Sequence, residues 1–179
     1  MVNGTSKKAC TIGHFDGVHV GHQYVIRRML AESAKRGIAD TMVFTFDRLP
    51  RTLFDPTFRP LMLTTVEERK ARLLALGVGS VEVLTFDRAM ASQSALDFME
   101  HVLRDRFGVR LLVLGYDNRF GRLNPDETFD DYVRYGEELG IEVVRCDRYE
   151  VEGIGAISST KIRQMIADGN EEQARQLMM

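Results

Sequence analysis

The chain has 179 residues, a formal net charge of −2 at pH 7 and an apolar fraction of 44%. This length suits one domain of ordinary size with its own core, so residues 1–179 are predicted to form a single domain. The nearly neutral charge balance provides no general electrostatic field for a nucleic-acid partner. Any site for a polyanion must therefore be built locally, from individual Arg, Lys and His side chains.

Cysteine usage and the lack of a long apolar run predict a cytoplasmic protein. Cys10 and Cys146 lie far apart without a Cys-x-x-Cys spacing, and each stands in or near an apolar run. They are predicted to be buried free thiols, as expected in a reducing compartment. No apolar run approaches the roughly 20 residues that cross a bilayer, and the first eight residues lack the apolar core of a signal peptide. We expect no membrane partner.

Short apolar runs alternate with helix-period segments along the chain. The predicted strands are residues 8–12, 40–46, 81–86, 110–114 and 142–146. The predicted helices are residues 20–36, 65–76, 94–106, 128–139, 159–167 and 171–178. This alternation predicts an α/β fold with a parallel sheet and helices on both faces. Residues 47–64 are predicted to be a long loop, of a length that is usually functional or mobile, although a mere connection stays open. The basic cluster Arg69, Lys70 and Arg72 is predicted to lie on a solvated helix face.

The two most unusual strings, residues 13–22 and 115–121, follow the first and the fourth predicted strand. In an open parallel sheet, ligands bind beyond the carboxyl ends of the strands, near the point where the strand order reverses. The first and fourth strands are expected to flank that point. The two strings are therefore predicted to lie at one ligand site.

The first string is predicted to form an anion site, because it leads into the first helix. Backbone N–H groups at a helix start are unpaired and carry the positive end of the helix dipole. Gly17 and Gly21 are expected to let a phosphate approach the backbone. His19 and His22 are three residues apart, so they should share one helix face and donate to phosphate oxygens. We expect these imidazoles to bring positive character to the site, whereas Asp16 is expected to tie the loop.

A second anion site is predicted near the C-terminus, where a Ser-Ser-Thr run opens a helix. The backbone N–H groups there are joined by the hydroxyl groups of Ser159 and Thr160 and by the guanidinium of Arg163, which can hold a phosphate in a fork. Thr160 and Arg163 have the spacing that places both on one helix face.

Residues 13–23 read Gly-x-Phe-Asp-Gly-Val-His-x-Gly-His-Gln and resemble the opening of the bacterial FAD synthetases, nucleotidylyl transferases with a His-x-Gly-His signature. Residues 115–121 resemble their Gly-x-Asp-Phe-Arg-Phe-Gly string, with Asn118 where a Phe is usual. Residues 158–163 resemble their Ser-Ser-Thr-x-x-Arg motif. Residues 45–50 are similar to their Thr-Phe-Glu-Pro-His-Pro stretch, with Leu49 in place of the His. The resemblance covers nearly the whole chain and implies a Rossmann-like nucleotidylyl transferase fold with about five strands.

The resemblance implies an FMN adenylyltransferase, in which the FMN phosphate attacks the α-phosphorus of ATP and gives FAD and pyrophosphate. The implied catalytic residues are His19, His22 and Arg163. The implied nucleotide-binding residues are Gly13, Phe15, Gly17, Gly21, Asp117, Ser159 and Thr160. The implied flavin-side residues are Phe46, Phe54, Arg119 and Phe120. Mg²⁺ is expected to arrive with ATP, held by phosphates and water rather than by protein ligands.

Several alternatives stay open. The chain lacks the C-terminal riboflavin kinase domain that is usual in this family, so it is either a stand-alone enzyme or a piece of a bifunctional one. Another acceptor, such as pantetheine phosphate, nicotinamide mononucleotide or glycerol phosphate, would give a related transferase. A third alternative is a flavin- or nucleotide-binding module without turnover. A zinc site made of His14, His19 and His22 would leave the surrounding glycines unexplained.

Overall fold

The computed structural model describes residues 7–122 and 124–178, so residues 1–6, 123 and 179 of the predicted domain lie outside the description. The centre of the molecule is a five-stranded sheet with the order β3-β2-β1-β4-β5, and every neighbouring pair is parallel. The strands are β1 (Lys8–Ile12), β2 (Asp40–Phe46), β3 (Ser80–Leu84), β4 (Val109–Leu114) and β5 (Glu142–Arg145). The five predicted strands and the parallel sheet are therefore confirmed, with ends shifted by one or two residues.

The helices cover both faces of this sheet. They are α1 (Val20–Lys35), α2 (Pro50–Phe54), α3 (Val66–Ala75), α4 (Arg88–Ser92), α5 (Ala95–Asp97), α6 (Phe129–Leu139), α7 (Ser159–Ala167) and α8 (Glu171–Gln176). The prediction of one uniform helix over residues 94–106 is wrong, because α5 continues as a π-helix, Phe98–Arg106. The short helices α2 and α4, and the small antiparallel pair β6 (Glu150–Val151) and β7 (Gly155–Ala156), were not predicted. Such elements are too short to show a period in the sequence.

Alternate residues of the central strands pack on opposite faces of the sheet. On one face Cys10, Phe44 and Leu112 belong to a core cluster with the π-helix and α6. On the other face Ala9 and Val43 pack with α1 and α3. A strand that is buried on both faces reads as a continuous apolar run, which is why these strands were visible in the sequence.

The strand order reverses between β1 and β4. From β1 the chain moves outward to β2 and β3 on one side, and from β4 to β5 on the other. The loops that follow β1 and β4 therefore adjoin, and the Asn118 side-chain amide donates a hydrogen bond to the carbonyl oxygen of Ile12. The prediction that the first and fourth strands flank the reversal is confirmed.

The last two helices fold back onto the start of α1. Ile157, Ile162 and Leu177 form a third apolar cluster, against which Val20 packs. The backbone N–H of Val20 donates to the carbonyl oxygen of Leu177 over 2.8 Å. This packing carries the N-terminus of α7 to the loop between β1 and α1.

Two expectations about individual side chains have different outcomes. Cys10 and Cys146 are buried and free, as predicted. Arg69 was expected on a solvated helix face with its basic neighbours, and this is wrong because its side chain is 0% exposed. Arg69 lies one turn before the buried Leu73, so it falls on the inner face of α3.

Candidate active site

A polar cleft of about 670 Å³ opens at the carboxyl edge of the sheet, between the loops after β1 and β4 and the N-terminus of α7. Both ends of the chain contribute to its wall. The predicted site residues that line it are Gly13, Phe15, His19, Gly21, His22, Asp117, Ser159, Thr160 and Arg163. The structure therefore brings the opening string and the Ser-Ser-Thr motif into one cavity.

His19 and His22 form a stacked pair in this cleft. Their ring centroids lie 3.5 Å apart, and the Phe15 ring meets His22 edge-on at 5.2 Å. His19 caps α1, because its Nδ1 accepts from the backbone N–H of His22 over 3.4 Å. Neutral His19 must then carry its proton on Nε2. His19 Nε2 and His22 Nδ1 are both buried without a partner among the described residues, a condition that is rare unless a ligand completes the site.

The imidazoles of the cleft are uncharged at neutral pH. Burial lowers the pKa of His14 and that of His19 to about 4. Burial also lowers the pKa of His22 well below its usual value, and the neighbouring His19 and His14 rings lower it further. This result corrects the expectation of positive character from the imidazoles. They offer hydrogen bonds rather than charge until an anion binds beside them and raises the pKa.

The protein is expected to lose stability as the pH falls from about 6.5 towards 4. Because the folded pKa values of His14, His19 and His22 are lowered, the unfolded chain binds more protons in this range. The contribution of these histidines to the free energy of unfolding is complete above the pKa of histidine in the unfolded chain. It is lost as the pH falls towards their lower pKa values in the folded protein. Urea unfolding at several pH values measures this loss. Between pH 6.5 and 4, the free energy of unfolding should fall less steeply when His14, His19 and His22 are all replaced by Asn than in the wild type. Parallel declines would contradict this assignment.

Asp16 ties the first loop to the segment before α3. Its carboxylate, which is 1% exposed, accepts from the backbone N–H groups of Leu63 and Thr64 over 3.1 and 3.0 Å. It also accepts from the Thr64 hydroxyl over 2.9 Å and pairs with the guanidinium of Arg163. The backbone N–H of Gly17 donates to the Thr64 hydroxyl over 3.1 Å. The expectation that Asp16 ties the loop is confirmed.

The N-terminus of α7 is fastened to the same loop. Ser159 donates its hydroxyl hydrogen to the Asp16 carbonyl oxygen over 2.9 Å, and Arg163 Nε donates to the Leu61 carbonyl oxygen over 2.6 Å. Ser158 caps the helix by accepting from the backbone N–H of Lys161. Part of the guanidinium fork is thus engaged by Asp16 and Leu61, and the rest of Arg163 lines the cleft.

The turn between β1 and α1 has an unusual backbone. The φ values are 55° at Phe15, 82° at Gly17 and 45° at Val18. Residues other than glycine rarely adopt positive φ values. A Cβ atom at Gly17 would lie 2.9 Å from Leu63 and 3.0 Å from the Met178 sulfur. Gly17 is absent from the lining of the cleft, and its contacts show that this glycine serves the turn and the packing beneath it.

Gly13 and Gly21 lie in the wall of the cleft. A Cβ atom at Gly13 would approach the Phe15 ring to 3.0 Å. A Cβ atom at Gly21 would approach the His19 ring and the Ile157 carbonyl oxygen to 3.3 Å. The two glycines therefore let these rings and the start of α7 pack closely against the first turn of α1.

A second, apolar cavity of about 230 Å³ adjoins the polar cleft, and Ile12 lines both. Five of the side chains in its walls are aromatic: Phe46, Phe86, Phe98, Phe120 and Tyr132. Phe46 meets Phe86 edge-on at 5.5 Å, and Phe120 stacks on Tyr132 at 4.9 Å.

Three of the four predicted flavin-side residues, Phe46, Arg119 and Phe120, line this apolar cavity. Phe54 does not. It lies at the end of α2 with 63% of its side chain exposed, outside the walls of both cavities. The structure therefore does not bring Phe54 to the site where it was expected.

Sequence reasoning missed the side chain that lies behind both cavities. Arg69 Nη2 donates to the Phe46 carbonyl oxygen over 2.6 Å, and Nη1 lies 3.4 Å from both ring nitrogens of His14. Arg69 Nε is buried without a partner among the described residues, and burial lowers the pKa of this side chain. The signal that could have found it is its helical phase, four residues before Leu73.

Comparison with known proteins gives a consistent result. A family model described as FAD synthetase matches residues 2–161. The bifunctional riboflavin kinase/FMN adenylyltransferase of Escherichia coli (strain K12) is 34% identical over 168 residues, which is 94% of this chain and 53% of that protein. The protein of the same name from Listeria monocytogenes is 30% identical over 96% of this chain and 53% of its own length. The chain therefore spans about half the length of these curated relatives.

Two further relatives are informative. One from Geobacillus thermodenitrificans, named for the same two activities, is 32% identical over 93% of this chain and 87% of its own length. A crystal structure described as a macrolide-efflux protein from Streptococcus pneumoniae has a TM-score of 0.82 and 31% identity, covering 97% of this chain and 56% of that one. In the described part of this chain, no helix is both long and apolar enough to span a membrane. With its opening string, its cleft and the family model all in agreement, the chain belongs to the FAD synthetase family.

Proposed function

We propose that this chain is an FMN adenylyltransferase, which converts ATP and FMN into FAD and pyrophosphate. The observation that carries the proposal is a pair of buried imidazole nitrogens, His19 Nε2 and His22 Nδ1, without partners among the described residues and on side chains that line the polar cleft. The N-terminus of α7 faces the same cleft, and an aromatic cavity adjoins it at Ile12. Hydrogen-bond donors for phosphates thus lie beside a cavity with walls suited to a flat ring.

The reaction needs positioning more than acid–base chemistry. A phosphate monoester has its second pKa near 6, approximately, so the attacking FMN phosphate is mostly ionised at neutral pH. Its oxygen forms a bond to the α-phosphorus of ATP, and the bond from that phosphorus to the bridging oxygen of pyrophosphate breaks. The protein has to bring two anions together and to stabilise the charge that moves onto the leaving group.

The described residues supply those contacts from two directions. His19 and His22 would donate hydrogen bonds to the transferring phosphate. Because the lowered pKa values leave both rings neutral before substrate binds, no bound counter-ion has to leave them first. Thr160 and the backbone N–H groups of α7 would hold the outer phosphates, an arrangement that helix N-termini favour. Arg163, already fastened by Asp16, would present its remaining N–H groups in a fixed direction.

Mg²⁺ would accompany ATP and offset the charge of its phosphates. Asp117 and Asp147 line the cleft with carboxylate oxygens, which are ligands that Mg²⁺ accepts in small number alongside phosphates and water. Among the described residues, no group of three or more His, Cys, Asp or Glu side chains forms a ready cage for a metal. Two carboxylates beside the place proposed for the phosphates fit a metal that is held mainly by the nucleotide.

The flavin ring is assigned to the apolar cavity. At about 230 Å³ this cavity is smaller than the ~300–1,000 Å³ of typical ligand pockets, so it suits the ring alone while the ribityl phosphate extends into the polar cleft. Aromatic walls favour a flat conjugated ring over the flexible chain of pantetheine phosphate or the small glycerol phosphate. The aromatic walls therefore favour FMN over pantetheine phosphate and glycerol phosphate, whereas nicotinamide mononucleotide also carries a flat ring and is distinguished by assay.

The domain assignment follows from the same proposal. Residues 1–179 would form one adenylyltransferase domain, and the kinase activity in the relatives' names would belong to the part of those proteins that this chain does not match. The free, buried Cys10 and Cys146 support the proposed cytoplasmic setting.

Incubation with ATP, Mg²⁺ and FMN tests the function directly, with FAD measured by chromatography and pyrophosphate by a coupled assay. We expect FAD and pyrophosphate in equal amounts. Parallel reactions with pantetheine phosphate, nicotinamide mononucleotide and glycerol phosphate should release little pyrophosphate. Faster release with one of these acceptors, or tight FMN and ATP binding without turnover, would replace the proposal with the corresponding alternative.

A further inference from the structure

Gln93 places an unsatisfied acceptor in the wall of the apolar cavity. It follows α4 and lines the cavity among the aromatic side chains. Its Oε1 atom is buried and has no hydrogen-bond partner among the described residues. Buried polar atoms are nearly always paired, so this exception calls for a partner that enters from the cavity.

The backbone around Gln93 is held in place by two hydrogen bonds. The backbone N–H of Arg122 donates to the Gln93 carbonyl oxygen over 2.6 Å, and the Gln93 N–H donates to the Met90 carbonyl oxygen over 3.3 Å. Gly121 packs so tightly that a Cβ atom there would lie 2.5 Å from the backbone nitrogen of Ala95. The loop after β4 and the segment after α4 therefore fix the backbone position from which the Gln93 side chain enters the cavity wall.

Of the described side chains that line the cavity, Gln93 carries the one buried oxygen atom without a hydrogen-bond partner. Glu127 Oε1 accepts from the Tyr135 hydroxyl over 3.1 Å, and Asn124 Oδ1 accepts from the Asp126 N–H over 3.2 Å. Arg119 and Arg122 present side chains that donate only. A ligand that brings an N–H donor into this cavity would therefore find an unpaired buried acceptor at Gln93.

We propose that Gln93 determines flavin specificity by binding the polar edge of the isoalloxazine ring, an inference that rests on the proposed function. That edge carries one N–H group, at N3, between two carbonyl groups. Gln93 Oε1 accepts from N3–H, and its Nε2–H donates to a neighbouring carbonyl, because a side-chain amide offers one acceptor beside two donors. The aromatic walls, Phe46 with Phe86 and Phe120 with Tyr132, contact the rest of the ring.

The test uses the full chain with FMN and N3-methyl-FMN, which lacks the N3–H donor, and follows binding by flavin fluorescence. The wild type should bind FMN about three- to tenfold more tightly than N3-methyl-FMN, the range for one net hydrogen bond. Gln93→Leu should weaken FMN binding by a similar factor and lose the discrimination between the two flavins. In turnover, its KM for FMN should rise while its KM for ATP stays the same. Gln176→Leu, which changes an exposed glutamine on α8, is the matched control.

The outcomes separate this inference from the proposed function. If Gln93→Leu stays folded and weakens both flavins equally, or weakens neither, the inference fails even where the wild type makes FAD. A wild type that discriminates through Gln93 but makes no FAD would overturn the proposed function and leave the flavin contact standing. A wild type that binds no FMN overturns the inference outright.

Discussion

His22→Ala is expected to lower the rate of FAD formation by about 100- to 1,000-fold, which corresponds to about 2.7–4 kcal/mol of lost transition-state stabilisation. The reason is that His22 stacks on His19 and lines the polar cleft, with Nδ1 buried and unpartnered among the described residues. A donor that the fold leaves unpaired has the transferring phosphate as its natural partner. Removing it takes away a contact that forms only when substrate is bound.

The measurement is the initial rate of pyrophosphate release and of FAD formation at saturating ATP and FMN, with circular dichroism to check the fold. His22→Gln keeps a side chain of similar reach and should recover part of the rate. His101→Ala, an exposed imidazole on the π-helix, should behave as the wild type. Near-wild-type pyrophosphate release by His22→Ala would remove His22 from the mechanism.

The sheet was predictable because its strands are buried on both faces. Residues such as Val43 and Leu112 pack on opposite sides of the sheet, and such strands read as apolar runs between turn signals. The alternation of strands and helices predicted a parallel sheet, and the expectation that the first and fourth strands flank the reversal placed the loops after β1 and β4 together.

The properties of individual side chains could not be read in the same way. Gly17 belongs to a phosphate-binding string by pattern, but its missing side chain makes room for Leu63 and Met178, which are distant in sequence. The charge state of His19 depends on burial that only the folded chain creates. Arg69 carries a charge typical of surfaces, and its burial depends on contacts with His14 and with the β2 backbone.

Gln93 is a further residue whose proposed role could not be predicted from the sequence. Nothing in the sequence around it marks a ligand contact, because a glutamine after a short helix is ordinary. Its significance comes from the absence of a partner among the described residues and from the tight packing of Gly121 against Ala95. Both facts depend on how the segment after α4 packs against the loop after β4, which is distant in sequence.

Asp16→Ala is expected to destabilise the protein by about 3–5 kcal/mol, the range for removing one partner of a buried ion pair. The carboxylate accepts from the N–H groups of Leu63 and Thr64 and pairs with Arg163, so its loss leaves these donors unsatisfied. Arg163→Ala should cost less stability, because its side chain is 19% exposed and its loss leaves Asp16 with three other donors. Activity should fall strongly in both variants.

Urea unfolding followed by circular dichroism, together with initial rates below the unfolding transition, separates these two effects. Asp16→Asn is the matched variant, because it keeps the shape and one acceptor oxygen but loses the charge. Its free energy of unfolding should therefore lie between that of the wild type and that of Asp16→Ala. If Asp16→Ala unfolds at the wild-type urea concentration, the loop between α2 and α3 is held by other contacts. If Arg163→Ala instead keeps full activity, the guanidinium serves only to fasten α7 to the first loop, and the phosphates must be held by the helix N-terminus and the two imidazoles.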